Sequence, residues 1–264
     1  MEPPSNQHPI SEEEAKRLIS GDLGNVYRDI LKSCCVPIFW GYYDKISNFK
    51  ILHNGTLTLV KTPERLLGVT AAHVIQKYQE DSKNNNKVIL RLMNEIIPTL
   101  EIIDCNKELD LVTISINKSI CDRNTSMRSF GKEVTPLEMW PPKVPQESYG
   151  IMFAGYPGDD ILHSNRELNF GLFTGIDRAR TVNHDQITCW IQREDLVINS
   201  GGVPTLPENY NFGGMSGGPL ISWFKNYITY YCLSGIISQA YGDGDYIIAK
   251  RADFIRPDGS IRLS

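Results

Sequence analysis

Short apolar and β-branched runs, separated by turn residues, fill the chain from residue 35 onwards, and this pattern predicts an all-β protein. A first set of strands is predicted at 35–41, 48–53, 56–61, 66–71, 87–93, 98–104 and 110–116. A second set is predicted at 149–155, 168–175, 186–193, 218–223, 228–238 and 245–249. Asn54-Gly55 lies between two strands of the first set and predicts a tight hairpin turn there.

Helical patterning is confined to the two ends of the chain. Ser11, followed by three glutamates, forms a capping box, and apolar residues then recur at helical spacing up to Leu31, with breaks near Gly21 and Gly24. We therefore predict one broken helix or two short ones before the strands, and a further short helix near 250–255. A proline-rich stretch separates the two strand sets. The predicted organisation is a tail and helical extension at 1–34, a first β-barrel at 35–135, a linker at 136–148 and a second β-barrel with the short helix at 149–264.

The composition is that of a globular protein, since 41% of the 264 residues are hydrophobic and 22% are charged. A net charge of −4 gives no basic footprint for nucleic acid or an anionic membrane. No apolar run approaches the roughly 18 residues of a membrane-spanning helix, and the N-terminus lacks a secretory signal pattern. The six cysteines include no CxxC pair and are typical of thiols in a reducing compartment. We expect a cytoplasmic, soluble protein that binds no metal, nucleic acid or membrane.

Three segments carry the residue types of nucleophilic catalysis. Ser216 lies in the glycine-rich run G-G-M-S-G-G-P-L, His73 follows T-A-A after an apolar run, and Asp110 opens an apolar strand in E-L-D-L-V. Each segment alone is common in structural roles. Together they supply a serine, a base that activates it and a carboxylate that orients the base, because a serine hydroxyl is a poor nucleophile without a neighbouring imidazole.

The ordered set T-A-A-H, D-L-V and G-M-S-G-G-P resembles the chymotrypsin-like (trypsin-like) serine proteases over roughly residues 35–255. The resemblance implies two antiparallel six-stranded β-barrels and acyl transfer through an acyl-enzyme. Ser216 would attack the peptide carbonyl, His73 would take and return the proton, and Asp110 would orient His73. The N–H groups of Gly214 and Ser216 would form the oxyanion hole, and no metal or organic cofactor is required. We expect activity to rise with pH as the imidazole loses its proton.

The same resemblance implies a substrate-binding region. The run G-I-I-S, ending at Ser238, is similar to the strand that lines the substrate cleft, so Ser238 should help to hold Asp110 and present its backbone to the substrate. By position, the first specificity pocket should involve Tyr210, Ala240 and Asp243. Tyr210 stands where a trypsin-type pocket has an acid, so a simple preference for basic residues is not expected.

Two departures from the secreted members bear on regulation. Val74 follows the histidine where those proteases carry a cysteine, so the chain resembles the disulfide-free branch, such as high-temperature-requirement proteases without their peptide-binding domain. Met215 stands where secreted zymogens keep an aspartate that pairs with a freed N-terminal ammonium. Because Met215 offers no counter-charge, we expect the full chain to need no N-terminal processing. Control would then come from a protein partner or from the helical segment 11–35.

Two functions other than a serine endopeptidase are compatible with parts of the sequence pattern. One is a non-catalytic binding or scaffold module with a protease fold, although all three residue types of the triad are present. The other is an esterase, since G-M-S-G-G matches the nucleophile-elbow pattern. No histidine follows Ser216, so the chain order of that fold is not met. The leading prediction is an endopeptidase acting on a protein or peptide, in maturation of a partner, in quality control or as a bacterial defence effector.

Overall fold

Two seven-stranded antiparallel β-sheets, preceded by two helices, form most of the described part of the chain in the computed structural model. This agrees with the predicted β-rich architecture and with a second strand set that follows the first. The structure describes residues 11–44, 48–93, 95–116, 135–163, 168–191, 210–241 and 246–263. Within those residues, none of the helices is both long enough and apolar enough to cross a bilayer.

The N-terminal extension consists of two short helices, α1 (Glu12–Ser20) and α2 (Asp22–Cys34). The Ser11 hydroxyl accepts a hydrogen bond from the Glu14 N–H at 3.1 Å, as the capping box predicts. The second helix leads directly into the first strand and buries Leu31 and Cys34 completely. The ring of Tyr27 stacks on Trp223, with centroids 5.5 Å apart. This helix is therefore part of the core that joins the two sheets.

The first sheet has seven strands in the order β5-β4-β1-β2-β3-β7-β6. A helix, α3, follows its third strand and covers part of the sheet. The bounds are β1 Cys35–Asp44, β2 Asn48–Lys61, β3 Leu66–Thr70, α3 Ala72–Asn84, β4 Ile89–Leu92, β5 Glu95–Ile96, β6 Ile102–Asn106 and β7 Leu111–Ser115.

The second sheet also has seven strands, in the order β11-β8-β14-β15-β16-β13-β12, and β9 pairs with β10 as a separate ribbon. The bounds are β8 Gly150–Gly155, β9 Ile161–His163, β10 Leu168–Phe170, β11 Phe173–Arg178, β12 Thr181–Val182, β13 Gln186–Trp190, β14 Pro219–Lys225, β15 Thr229–Tyr241 and β16 Tyr246–Arg251. The short helix predicted near 250–255 is a single 3₁₀ turn, Ala252–Phe254.

The predicted pair of six-stranded barrels is not confirmed in that form. Each sheet has seven strands, because the two-residue strands β5 and β12 are added at the edges. The segments at the two edges of each sheet are close in the chain, since only Ala179 and Arg180 separate β11 from β12. Their N–H groups donate to Tyr149 O, next to β8, and to Thr188 O in β13. The proline-rich stretch bonds to both sheets: Leu137 lies along β2, and the Lys143 N–H donates to Leu233 O at 3.0 Å.

The predicted hairpin turn at Asn54-Gly55 is wrong. Both residues lie inside the continuous strand β2, where Asn54 pairs with Phe39 and Gly55 with Ile38. The glycine is needed for packing, because a Cβ at residue 55 would come within 2.7 Å of the Val74 side chain on α3. A dipeptide with strong turn propensity can therefore occur within a strand where the tertiary structure requires close approach.

The helix α3 was not predicted. It has no side-chain cap at Ala71, and its buried residues, Ala72, Val74 and Ile75, all lie within its first turn. Such a short apolar stretch gives little helical periodicity in the sequence. Further along the helix, the Tyr78 ring packs edge-on against Trp40. The Asp81 carboxylate accepts from Trp40 Nε1 at 2.9 Å and pairs with Lys77 Nζ at 3.1 Å.

The burial of α2 leads to a stability prediction. We expect Leu31→Ala to lower the free energy of unfolding by about 2–5 kcal/mol, since it leaves a cavity between the helix and the sheets. Leu23→Ala on the same helix, where the side chain is 37% exposed, should cost less than about 1 kcal/mol. Urea unfolding of both variants measures the difference. Equal losses would contradict the assignment of α2 to the core.

Candidate active site

Asp110 is the residue on which the site is centred. It precedes β7 with a φ of 50°, in the left-handed region, and its carbonyl accepts from the Ala72 N–H at 3.1 Å, next to the start of α3. Its carboxylate accepts three hydrogen bonds. Oδ1 accepts from the backbone N–H of His73 at 2.9 Å, while Oδ2 contacts His73 Nδ1 at 2.9 Å and accepts from Ser238 Oγ at 2.6 Å.

The hydrogen bonds determine the charge of this carboxylate. Burial raises the pKa of Asp110, but the hydrogen bonds from His73 and Ser238, together with the nearby imidazole charge, outweigh burial and hold this pKa below its ordinary value. Asp110 is therefore ionised at neutral pH. An ionised carboxylate only accepts hydrogen bonds, so the Nδ1 of His73 carries a proton. In the neutral form of the ring, Nε2 is then the acceptor.

His73 lies in the first turn of α3, with its backbone and its ring both bonded to Asp110. The side chain is about half exposed, at 50% of its full area. An imidazole held at one nitrogen by a carboxylate and open to solvent at the other side has the arrangement of a general base. The sequence predicts that Asp110 orients His73, and in the structure the two side chains are in direct contact.

Ser216 lies in the glycine loop, residues 213–218, immediately before β14. Gly214 and Gly217 in this loop have φ values of 103° and 94°, a region that side chains other than glycine rarely adopt. The Ser216 hydroxyl donates to the backbone carbonyl of Ser238 at 3.0 Å. In the described part of the chain it makes no hydrogen bond to His73. Ser238 thus contacts Asp110 through its hydroxyl and Ser216 through its carbonyl.

Strand β2 of the first sheet holds the glycine loop of the second. The Thr56 N–H donates to Ser216 O at 2.9 Å, and the hydroxyls of Thr56 and Thr58 donate to Gly214 O at 2.8 Å and to Gly217 O at 2.7 Å. Sequence reasoning missed these residues. The signal that could have found them is the alternation of Asn54, Thr56 and Thr58, which puts three polar side chains on one face of the strand.

Two N–H groups of the glycine loop are available to a ligand. Within the described residues, the N–H groups of Gly214 and Ser216 have no hydrogen-bond acceptor. The carbonyls that precede them in the chain are occupied, since Gly213 O accepts from the Gly158 N–H at 2.6 Å and Met215 O from the Gly218 N–H at 2.9 Å. Two backbone donors with no acceptor beside a serine can receive a developing oxyanion.

Met215, between these two donors, is fully buried in the apolar cluster of the second sheet. A Cβ at residue 155 would come within 2.7 Å of its Cα, so Gly155 gives the methionine room against β8. The position holds a packed thioether and no charged group.

The predicted pocket residues lie in different surroundings. Tyr210 is buried in the apolar cluster of the second sheet, against which Ala240 packs, and its hydroxyl donates to Asp160 Oδ2 at 2.6 Å. Burial raises the pKa of Tyr210 above its ordinary range, and the hydrogen bond to the Asp160 carboxylate raises it further. Ser238 contacts both Asp110 and Ser216. Asp243 lies outside the described residues.

The site thus consists of a carboxylate, an imidazole, hydroxyls and backbone groups. Among the described residues, no three His, Cys, Asp or Glu side chains converge as ligands for a metal ion. Comparison with models of known protein families and with curated protein sequences gives no match for this chain.

The hydrogen bonds to Asp110 lead to a prediction for acid stability. Since its pKa is lowered in the folded protein, Asp110 contributes stability that is present above the unfolded value of about 3.9 and is lost as pH falls through the folded value. Asp110→Asn should therefore be less stable at pH 6 and lose less stability between about pH 5 and 2. Ser238→Ala, which removes one donor, should be intermediate. Urea unfolding at several pH values measures this, and an unchanged acid slope in Asp110→Asn would contradict it.

Proposed function

We propose that this chain is a serine endopeptidase of the chymotrypsin-like class, which hydrolyses peptide bonds through an acyl-enzyme. The observation that carries the proposal is that Asp110 Oδ2 contacts both His73 Nδ1 and Ser238 Oγ, while the carbonyl of the same Ser238 accepts from Ser216 Oγ. Carboxylate, imidazole and serine from distant parts of the chain thus belong to one hydrogen-bonded group. In this proposal the two seven-stranded sheets correspond to the two β-barrels of that class.

The reaction begins with the Ser216 hydroxyl. On turning from Ser238 O towards His73, it gives its proton to Nε2 as its oxygen forms a bond to the substrate carbonyl carbon. The tetrahedral intermediate breaks its C–N bond, and the imidazolium returns the proton to the leaving amine. Water then attacks the acyl-enzyme with His73 again as the base, and the product acid leaves with Ser216 restored.

Asp110 and the glycine loop supply the electrostatic part of catalysis. The ionised Asp110 fixes the proton of the neutral imidazole on Nδ1, so that Nε2 is the acceptor, and it stabilises the imidazolium when it forms. The N–H groups of Gly214 and Ser216 would bind the negative oxygen of the tetrahedral intermediate, because both are free of acceptors in the described residues. No step of this mechanism requires a metal or an organic cofactor.

A peptide substrate is favoured by the edge of β15. This strand pairs with β14 only up to Ile236, and from Gln239 to Tyr241 the described residues pair with it on one side only, through β16. An extended chain can add to the open edge by main-chain hydrogen bonds, next to Ser216. Tyr210, Ala240 and Asp243 remain the residues proposed for the adjoining specificity pocket.

A non-catalytic binding module is the second candidate function. It is favoured by one observation, the hydrogen bond of the Ser216 hydroxyl to Ser238 O in place of His73. Catalytic hydrogen bonds of enzymes without substrate often form only in the complex, so this bond agrees with either function. Reactivity of Ser216 decides between them.

We propose that the enzyme is competent without N-terminal processing, because the buried Met215 leaves no charge for a new terminus to neutralise. Helix α2 contributes Leu31 and Cys34 to the core, which favours control by a protein partner over release of the N-terminal segment. Free thiols at the described cysteines fit a reducing, cytoplasmic setting.

The first functional prediction concerns Ser216. We expect Ser216→Ala to abolish both peptide hydrolysis and labelling by a fluorophosphonate probe, since no other described group takes its place in the site. Ser222→Ala is the matched control, because Ser222 is a buried serine on β14 whose hydroxyl has no partner among the described residues. Undiminished hydrolysis by Ser216→Ala would overturn the proposal, and a wild-type protein that neither reacts nor hydrolyses would favour the binding module.

The second functional prediction concerns Asp110. We expect Asp110→Asn to lower turnover by about 10⁴-fold, as the amide no longer fixes the proton on Nδ1 of His73; this magnitude is the one known for the serine protease triad. Steady-state kinetics on a peptide library substrate measures it. Circular dichroism should show that the variant keeps its fold. A loss of turnover smaller than about tenfold in the folded variant would contradict the role of Asp110.

A further inference from the structure

We propose that Thr56, on strand β2 of the first sheet, is the positioning residue for the two N–H donors of the glycine loop. Its hydroxyl holds the peptide unit that lies between Gly214 and Met215, and with it the direction of the N–H groups on either side. The proposal rests on the proposed function, since it assigns those N–H groups to the oxyanion.

Three consecutive peptide units of the loop each have their carbonyl oxygen held. Gly213 O accepts from the Gly158 N–H at 2.6 Å, Gly214 O from the Thr56 hydroxyl at 2.8 Å and Met215 O from the Gly218 N–H at 2.9 Å. In a trans peptide the C=O and N–H point in opposite directions. Because Gly213 O and Met215 O are held, the N–H groups of Gly214 and Ser216 point away from these bonds. Thr56 holds the peptide unit between them, which joins Gly214 to Met215.

The direction of the Thr56 hydroxyl is itself determined. Its oxygen accepts from the Tyr156 N–H at 2.9 Å, and its one hydrogen goes to Gly214 O. The Thr56 backbone is occupied as well, because its N–H donates to Ser216 O and its carbonyl accepts from Thr70 Oγ1 at 2.7 Å. Thr56 is fully buried, so water does not compete for these bonds.

Among the described residues, the loop supplies no hydrogen-bond partner of its own for Gly214 O. Gly214 adopts a φ of 103°, and a Cβ there would meet Asn54 Nδ2 at 2.3 Å and Tyr156 O at 2.5 Å. Glycine is conformationally permissive, and the side chain of the neighbouring Met215 contributes only apolar packing. Met215 O is held from within the loop by the Gly218 N–H, whereas Gly214 O, between the two donors, is held by the Thr56 side chain from the other sheet.

The expected consequence is a loss in turnover more than in binding. Without the Thr56 hydroxyl, Gly214 O loses its partner and the middle peptide is held only by the Met215 N–H, which donates to Phe212 O at 3.1 Å. The two N–H groups on either side then converge less well on the oxyanion position. Because that contact forms only in the transition state, kcat should fall by about 10- to 100-fold while KM changes little. A purely structural role would lower the fraction of folded protein without this split.

The test compares Thr56→Val, which keeps shape and removes the hydroxyl, with Thr56→Ser, which keeps the hydroxyl and should retain most of kcat. Thr113→Val is the matched control, because Thr113 is equally buried and its hydroxyl also donates to a glycine carbonyl, that of Gly259, outside the glycine loop. Thr56→Ala replaces Thr56→Val if the latter does not fold. Steady-state kcat and KM are measured, together with amide hydrogen exchange of the peptide covering 211–218.

A kcat loss in Thr56→Val, restored in Thr56→Ser, absent in Thr113→Val and accompanied by faster exchange at 211–218, supports the proposal. Unchanged kcat and unchanged exchange in Thr56→Val overturn it. If the wild-type protein has no hydrolytic activity, the proposed function fails, and hydrogen exchange alone then decides whether Thr56 holds the loop.

Discussion

The hydrogen bonds between strand β2 and the glycine loop are the constraint on which the site depends. They join residues more than 150 positions apart in the chain, as in the 159-residue separation of Thr58 and Gly217. His73 and Asp110 belong to the first sheet and its helix, whereas Ser216 and Ser238 belong to the second. The two pairs can only meet if the sheets are held in register at this point, and buried threonine hydroxyls provide that register at a low cost in conformational entropy.

Glycine makes the close contact possible. At Gly217 a Cβ would lie 1.9 Å from Thr56 O and 2.1 Å from Thr70 Oγ1, so the loop can approach β2 only without a side chain. The same close packing occurs at Gly55 against Val74, where it seats α3 on the sheet. Glycines that indicated a turn or a flexible loop in the sequence are thus positions of close packing between elements.

The charge of the site is concentrated on one group. Asp110 is substantially buried, and an ionised carboxylate in that environment is tolerated because three donors surround it. Two of these donors belong to His73 and the third to Ser238, so the same bonds that solvate the charge also fix the imidazole and link the second sheet to it. The hydrogen bonds that stabilise the ionised Asp110 therefore also orient His73.

The sequence by itself determined the β-rich class, the two strand sets, the capped N-terminal helices and the three segments with Ser216, His73 and Asp110, because periodicity, caps and glycine-rich runs are local features. Only the tertiary structure decided that β2 runs straight through Asn54-Gly55, that α3 forms after His73, and that each sheet has seven strands. It also decided which hydroxyls hold the glycine loop and that Ser216 bonds to Ser238 O. These features depend on hydrogen bonds and packing between distant residues, which no local pattern in the chain records.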